Sequence, residues 1–321
     1  MRKYTVLGNG TGWCFNSWKS SINELGITFI NEILPYKGNK LLSFLCFVHY
    51  RIRSKYLRIL PFTCIWYKHF ERRLELDKDA ENILIIYDWN FVSRDFAFLN
   101  YLRRKYQNIR IVYLYSNIVK ASGSEVYHIT NYLLKHYDHV FAFDKLDSEK
   151  YGFEYSPLIY TTNEARDVNE YKYDLFYIGK AKDRYSQLIE IFEKAKHCGL
   201  RTNFNIVGVP EDEQLYKDEI HYKPLKYEDV IKNMIESRCF VDAIQGESSA
   251  LTIKTCEAVL FGRKLITTNK NVACEPFYHT ENILIYPSDI SLEKFMDIPI
   301  KKYTEEEKLY FSPLSLFKKI I

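Results

Sequence analysis

The sequence lacks most of the short motifs that would announce a mechanism. Its seven cysteines include no C-x-x-C pair and are odd in number. That argues against a zinc ribbon or a disulfide framework and for reduced thiols in the cytoplasm. Glycine and proline are scarce, at 12 and 9 of 321 residues, too few for an all-β chain full of turns. No run approaches 18 apolar residues, so no membrane-spanning helix is expected. The opening Met-Arg-Lys-Tyr-Thr-Val-Leu-Gly-Asn-Gly reads as a short strand and a glycine turn, without the apolar segment of a signal peptide. No D-x-D is placed to hold a metal, and no G-x-G-x-x-G follows a strand. Gly8-x-Gly10-x-Gly12 comes nearest, but Gly12 falls one position early and Trp13 follows, which argues against NAD or FAD.

What is present is globular: 47 % hydrophobic and 27 % charged residues exclude disordered and low-complexity classes. At about 150 residues per domain the length suggests two domains. The net charge of +4 hides an asymmetry. Residues 1–160 hold 22 Lys and Arg against 15 Asp and Glu, a net of +7; residues 161–321 hold 23 against 26, a net of −3. Between Tyr36 and Phe70 stand seven cations (Lys37, Lys40, Arg51, Arg53, Lys55, Arg58, Lys68) and no acid, interleaved with aromatic and aliphatic residues. This mixture suits an anionic membrane surface. A packed helical pair with a solvated basic edge would read similarly, and nucleic acid is the third, least favoured partner.

Strand and helix patterns alternate along the chain. Strands are expected at Tyr4–Leu7, Ile27–Leu34, Ile83–Tyr87, Ile109–Tyr115 and His139–Phe143, with helices at Ser17–Leu25, Ser93–Tyr106 (capped by Ser93) and Glu125–His136. Two more helices fit between Lys40 and Leu76, broken near Pro61. Residues 156–172 lose periodicity and read as a linker. A second half follows, with strands at Tyr173–Ile178, Thr202–Val207, Cys239–Asp242, Lys264–Thr268 and Asn282–Tyr286. Its helices are Arg184–Lys196, Tyr227–Glu236 and Leu251–Phe261, the last stopped by Gly262. Thr304 and Glu307 form a capping box for a final helix. The expected domains are 1–160, 161–303 and a C-terminal helix, 304–321, packing back on the first domain. The class is α/β, with two Rossmann-like domains facing a cleft.

Ligands of open parallel sheets bind beyond the carboxyl ends of the strands, so the candidates lie just after each strand. In the first half these are Gly10, Gly12 and Trp13, in a glycine turn that either lets a ligand approach the backbone or is merely tight. Two carboxylates, Asp88 and Asp144, are also candidates, each able to act as a base or merely to cap a turn. His128, His136 and His139 read as surface or helix-end residues. In the second half Gly179, Lys180, Lys182 and Arg184 combine a backbone turn with three cations, which suits a diphosphate or an ordinary solvated helix start. The segment from Asp242 to Asn269 is the most informative. Gln245, Ser248 and Ser249 lie in a polar loop that leads into a helix start. Thr252 adds a hydroxyl and Lys254 a charge. Glu257 stands about one turn further on, where a carboxylate can accept hydrogen bonds from a ribose diol. The plain alternative is an exposed i,i+3 pair of Lys254 with Glu257.

This segment resembles the donor region of GT-B-fold glycosyltransferases, whose second domain carries a helix with a ribose-binding Glu. It is closer still to a group found in bacterial surface-polysaccharide biosynthesis. The matching pieces begin with Phe143-Asp144-x-x-Asp147-x-x-Lys150-Tyr151-Gly152, Tyr155-x-Pro157-Leu158-x-Tyr160 and Asp174-x-Phe176-x-x-Gly179. They continue with Leu251-Thr252-x-Lys254-x-x-Glu257, Lys264-Leu-Ile-Thr-Thr-Asn269 and Phe277-Tyr278-x-x-x-Asn282-Ile283. Together they cover residues 140–286. Many retaining relatives carry Glu-x7-Glu, but the position eight before Glu257 is Ser249, so a retaining mechanism that depends on that pair is not implied.

The resemblance implies a cytoplasmic enzyme whose second domain holds the nucleotide and whose first domain holds the acceptor, with Gly10, Gly12 and Trp13 on the acceptor side. The basic stretch from Tyr36 to Phe70 adds docking at the inner face of the membrane. The enzyme would move a sugar from a nucleotide sugar, in the first instance a UDP sugar, to a capsule, O-antigen or related glycan acceptor, lipid-linked or soluble. No cofactor and no metal are expected, because cations and helix dipoles take the metal's place in such enzymes. The alternatives are a GT-B-fold sugar-nucleotide epimerase and a non-catalytic nucleotide- or glycan-binding subunit. Incubation with nucleotide sugars, with and without membrane extract, separates them by nucleotide release.

Overall fold

A computed structural model describes residues 1–31, 39–51, 62–119, 126–246 and 249–321. Two compact units emerge, residues 1–161 with 316–321, and residues 162–315. The expectations for Ile33–Leu34, for Ser248 and for most of the basic stretch, including the side chains of Arg51, Arg53, Lys55 and Arg58, lie outside the described residues, as does the side chain of His128.

In the first unit six parallel strands form one sheet: β1 (Arg2–Leu7), β2 (Ile27–Ile30), β3 (Glu81–Tyr87), β4 (Ile109–Leu114), β5 (His139–Ala142) and β6 (Glu154–Tyr155). Their order is β2-β1-β3-β4-β5-β6. The apolar run of β3 exists because both of its faces are covered. Leu84 and Ile86 join one core, whereas Ile83, Ile85 and Tyr87 join the other, as the two-residue period of a strand requires. The second core is closed by Cys14 and Trp18 of α1 (Gly12–Glu24) and by the chain's C-terminal residues. There Phe317 stacks on Tyr4 at 3.9 Å, and Trp18 Nε1 donates to the Tyr87 hydroxyl at 2.8 Å. The first core is covered by α2 (Lys40–Arg51), α3 (Cys64–Leu74), α4 (Phe96–Lys105) and α5 (Val126–His136).

One helix differs from its expected bounds, and one short helix is additional. The helix read as Ser93–Tyr106 begins at Phe96 and is capped by Asp95, not Ser93. Residues Phe91–Arg94 form a separate 3-10 turn capped by Asn90. Asp95 is fixed tertiarily: the Tyr50 and Tyr67 hydroxyls donate to its carboxylate at 2.7 and 3.2 Å, and its Oδ1 accepts from Phe98 N at 3.0 Å. The short helix α6 (Lys145–Tyr151), capped by Asp144 and ended by Gly152 at φ 69°, is not among the expected elements.

The second unit repeats the architecture with β7 (Tyr173–Lys180), α7 (Tyr185–His197), β8 (Thr202–Val207), β9 (Ile220–His221), α8 (Tyr227–Ile235), β10 (Ser237–Asp242), α9 (Ile253–Phe261), β11 (Lys264–Thr267) and β12 (Ile283–Ile285). All pairings are parallel, in the order β12-β11-β10-β7-β8-β9. The chain then forms α10 (Leu292–Asp297), α11 (Glu305–Leu309) and α12 (Pro313–Ile320). The single C-terminal helix expected from Thr304 is thus two helices. The Thr304–Glu307 capping box is present on α11, and Pro313 opens α12, where its missing N–H costs nothing.

Arg263 ties the start of the second unit to its sheet. It is 1 % exposed, and its guanidinium donates to the carbonyls of Phe261 at 2.9 Å, Arg166 at 2.9 Å and Ile235 at 3.2 Å, over the ring of Tyr171. Arg166 and Tyr171 belong to the stretch expected as a linker, so one side chain orders a segment with no periodicity of its own. Arg263→Ala strands three acceptors and should cost about 3 kcal/mol or more of stability. The check is the denaturant midpoint: Arg263→Lys should recover only part of the loss, and an unchanged midpoint in the Ala variant would refute the bracing role.

Candidate functional site

Each sheet has one place where the chain reverses the side on which it adds strands. In the first unit that place lies between β1 and β3; in the second, between β7 and β10. Helices leaving the two strands go to opposite sides there, and a crevice opens beyond the carboxyl ends.

In the second unit β7 delivers Gly179 and Lys180 to this edge, and β10 delivers Asp242. Gly179 has no room for a side chain, since a Cβ would come within 2.7 Å of the Tyr177 hydroxyl. Side chains of the turn after β7 hold the loop after β10 in three places. Lys182 Nζ donates to Gln245 Oε1 at 2.6 Å, Asp183 Oδ2 accepts from Gly246 N at 3.2 Å, and Arg184 Nη1 donates to the Ala243 carbonyl at 2.5 Å. Arg184 Nη2 donates to the Lys180 carbonyl at 2.7 Å. Both terminal nitrogens of Arg184 therefore brace backbone, and its place is between the two loops.

The far side of the same loop is held by the end of β11. Thr268 Oγ1 accepts from Ile244 N at 2.9 Å, and Asn269 Nδ2 donates to the Ala250 carbonyl at 2.9 Å. Asp242, buried, accepts from the Thr267 hydroxyl at 3.1 Å, and burial pushes its carboxyl above the ordinary range. This loop feeds α9, whose N-cap Thr252 accepts from Thr255 N at 3.3 Å. Ser249 is buried beside it. Lys254 and Glu257 form an ion pair through Nζ and Oε2, so the i,i+3 contact is made. It is not the exposed pair that the spacing alone suggests: both side chains are largely buried, with Lys254 Nζ near the faces of Phe176 and Phe240. Taking two charges out of water is costly, so this pair is not an ordinary surface contact.

At the edge of the first unit, Gly10 adopts φ 82°, a left-handed value that glycine takes without strain. Thr11 caps α1, Gly12 begins it, and Trp13 follows, partly buried. Asn90 Nδ2 donates to the Gly8 carbonyl at 2.6 Å, joining the loop after β1 to the loop after β3. Between them Asp88 is 1 % exposed. Its Oδ1 accepts from Ser116 N at 2.8 Å and from the Ser116 hydroxyl, while its buried Oδ2 has no hydrogen-bond partner among the described residues. Burial raises the Asp88 carboxyl to about 6, against the pull of the Ser116 hydrogen bonds and of Arg94. Ser116 is only partly buried and also accepts from Asn9 Nδ2 at 3.2 Å. The next residue, Trp89, is 62 % exposed at φ 66°, a strained conformation for a bulky residue.

Asp144 is not at this edge pair. It is buried and caps α6 through Leu146 N and Asp147 N. His139 pairs with Glu154 at 2.8 Å, and His136 stacks on Phe96. Of the residues singled out from the sequence, Gly179, Lys180, Gln245, Thr252, Lys254 and Glu257 stand on the β7–β10 edge, its loops and the helix that follows. The sequence reading did not single out Ser116, Asn9, Asn90 or Asp183. Ser116 and Asn90 stand two or three residues beyond a strand end, which is the signal that would have found them.

No protein-family model and no curated sequence matches this chain. Solved structures do. Sucrose-phosphate synthase from Thermosynechococcus elongatus superposes with TM-score 0.56 at 10 % identity, over 100 % of this chain and 97 % of that one. The α,α-trehalose 6-phosphate synthase of Burkholderia multivorans gives 0.54 at 12 %, over 100 % and 96 %. Anabaena HepE in complex with UDP gives 0.53 at 12 %, over 100 % and 98 %. At such identities the likeness is one of fold: two parallel six-stranded α/β units, as in GT-B glycosyltransferases.

Proposed function

We propose that this chain is a glycosyltransferase that takes a sugar from a UDP-sugar donor and passes it to a hydroxyl of a glycan. The observation that carries the reading is the edge of β7 and β10, where β7 ends at Lys180 and the loop after β10 leads into the start of α9 with its buried Lys254–Glu257 pair. The N–H groups and the positive end of α9 suit phosphate. Lys180 and Lys254 would neutralise the diphosphate, and Arg184 would keep the loop in place. Glu257, oriented by Lys254, would accept from the ribose diol. HepE and an α-glucosyltransferase of the same fold were both solved with UDP, which supports UDP as the nucleotide. The bacterial surface-polysaccharide acceptor and the cytoplasmic setting rest on the sequence resemblance across residues 140–286.

In the transfer, the acceptor oxygen bonds to the anomeric carbon as the bond from that carbon to the diphosphate oxygen breaks. The electron pair leaves with UDP, where cations lower the barrier because charge grows there in the transition state. The acceptor proton needs a base. Asp88 is the candidate, and its burial changes the expected route. The proton would reach Ser116 Oγ, whose own proton passes to Asp88 Oδ1. With a carboxyl raised to about 6, Asp88 is ionised and able to accept above that pH. The reading assumes inversion, in keeping with Ser249 where retaining relatives have Glu. The burial of Asp88 also favours a second reading, a nucleotide-binding subunit that performs no transfer. Release of UDP from a UDP-sugar panel in the presence of glycan acceptors decides between them.

Glu257→Ala should weaken UDP binding by about 1.5–3 kcal/mol, the range for a hydrogen bond to a charged group. Calorimetry measures this, and an unchanged dissociation constant would remove Glu257 from the site. For Asp88, kcat/KM should rise with pH through about 6 and level off above it, because the ionised form is the active one. Asp88→Asn should lose at least about 100-fold in transfer, and with it that pH limb, while UDP affinity is kept. Near-normal turnover of the Asn variant would rule out the base.

A further inference from the structure

Two neighbouring helices of the first unit carry exposed apolar residues on a side that none of the described residues covers. On α2 Cys46 and Tyr50 are buried, while Leu41, Phe44 and Leu45 point out. These positions recur at the i, i+3, i+4 spacing of one helix face. On α3 Trp66, Tyr67, Phe70 and Leu74 are buried, while Ile65 and the preceding Phe62 point out. The five outward side chains are between 47 % and 77 % exposed.

The orientation of both helices is fixed from inside. Tyr50 and Tyr67 donate to Asp95 at 2.7 and 3.2 Å, Trp66 Nε1 donates to His49 Nδ1 at 2.8 Å, and Tyr50 packs edge-on against Phe70. Rolling either helix to hide its outward residues would break these contacts. The same surfaces are basic. Lys40, Lys68 and Arg72 are exposed on them, and the sequence from Tyr36 to Phe70 holds no acid at all.

We infer that the outward faces of α2 and α3 dock this unit on an anionic lipid surface. Charge decides the occupant. In a symmetric dimer each residue meets its own counterpart's surroundings, so two such faces would set like cations against each other. Anionic headgroups instead attract the lysines and the arginine, and the acyl boundary accepts Phe44, Phe62, Ile65 and the leucines. None of these residues belongs to the β7–β10 edge or to α9.

The test is sedimentation of the full chain with vesicles of two parts phosphatidylcholine to one part phosphatidylglycerol, and with phosphatidylcholine alone. The chain should pellet with the anionic vesicles only, and less as salt rises, since the Debye length falls. The triple variant Lys40→Glu, Lys68→Glu, Arg72→Glu should bind at least about 30-fold more weakly, from the contribution of each cation near such a surface. Phe44→Ser with Ile65→Ser should lower binding about tenfold at unchanged charge. All of these positions are exposed, and an unchanged melting temperature confirms that each variant is folded. No binding to either vesicle, equal binding to both, or full binding by the folded charge-reversal variant would overturn the inference. So would a dimer in sedimentation velocity that Phe44→Ser dissociates, because the face would then belong to protein.

Discussion

A parallel sheet has one carboxyl edge, and where its strand order reverses, no connection covers that edge. Both units of this chain are subject to this constraint, and in both the polar residues gather at the reversal. In the second unit Lys182, Asp183 and Arg184 lash the loop after β10 to the turn after β7, while Thr268 and Asn269 hold it from the other side. In the first, Asn90 joins the loops after β1 and β3. A loop held from two sides cannot collapse onto its strands. It keeps the start of α9 presented at the sheet edge, which is the condition for recognising an anion with backbone groups.

The charges at these edges are expensive in a way surface charges are not. The Lys254–Glu257 pair is largely buried, and well-packed apolar residues in its place would serve stability at least as well. Asp88 is costlier still. Its folded pKa, about 6, lies above the ordinary value near 4, so the folded state holds its proton more tightly than the unfolded chain. The stabilising contribution of that proton is present at low pH and is lost as pH rises through 6. At neutral pH the ionised carboxylate is a burden on the fold, relieved by Ser116. Groups of this kind at a sheet edge are better explained by use than by folding.

The sheets were legible in the sequence because β-strands buried on both faces are written as unbroken apolar runs, as in Ile83–Tyr87 and Cys239–Val241. The boundaries were less so. Ser93 lost the cap of α4 to Asp95 because Tyr50 and Tyr67, more than 25 positions away, fix that carboxylate. The short α6 escaped although Asp144 and Gly152 mark its two ends, because seven residues are too few for a helical period to show. At the site, glycine, strand end and helix start announced the second unit's edge. What spacing alone withheld was the use of each charge: Arg184 spends its donors on backbone, and Lys254 with Glu257 is a buried pair, not a solvated one. The basic stretch gave its composition but not its aim, which depends on the anchoring of α2 and α3 by Asp95 and His49.

The central claim is that the edge of β7 and β10 binds a uridine diphosphate. Hydrogen exchange of the intact chain with and without UDP tests it most directly, since a ligand protects the amides it touches and the loops it orders. The account predicts slowed exchange confined to residues 179–184 and 242–257, with peptides of the first unit's sheet unchanged. Protection centred elsewhere, or none at saturating UDP, would contradict it.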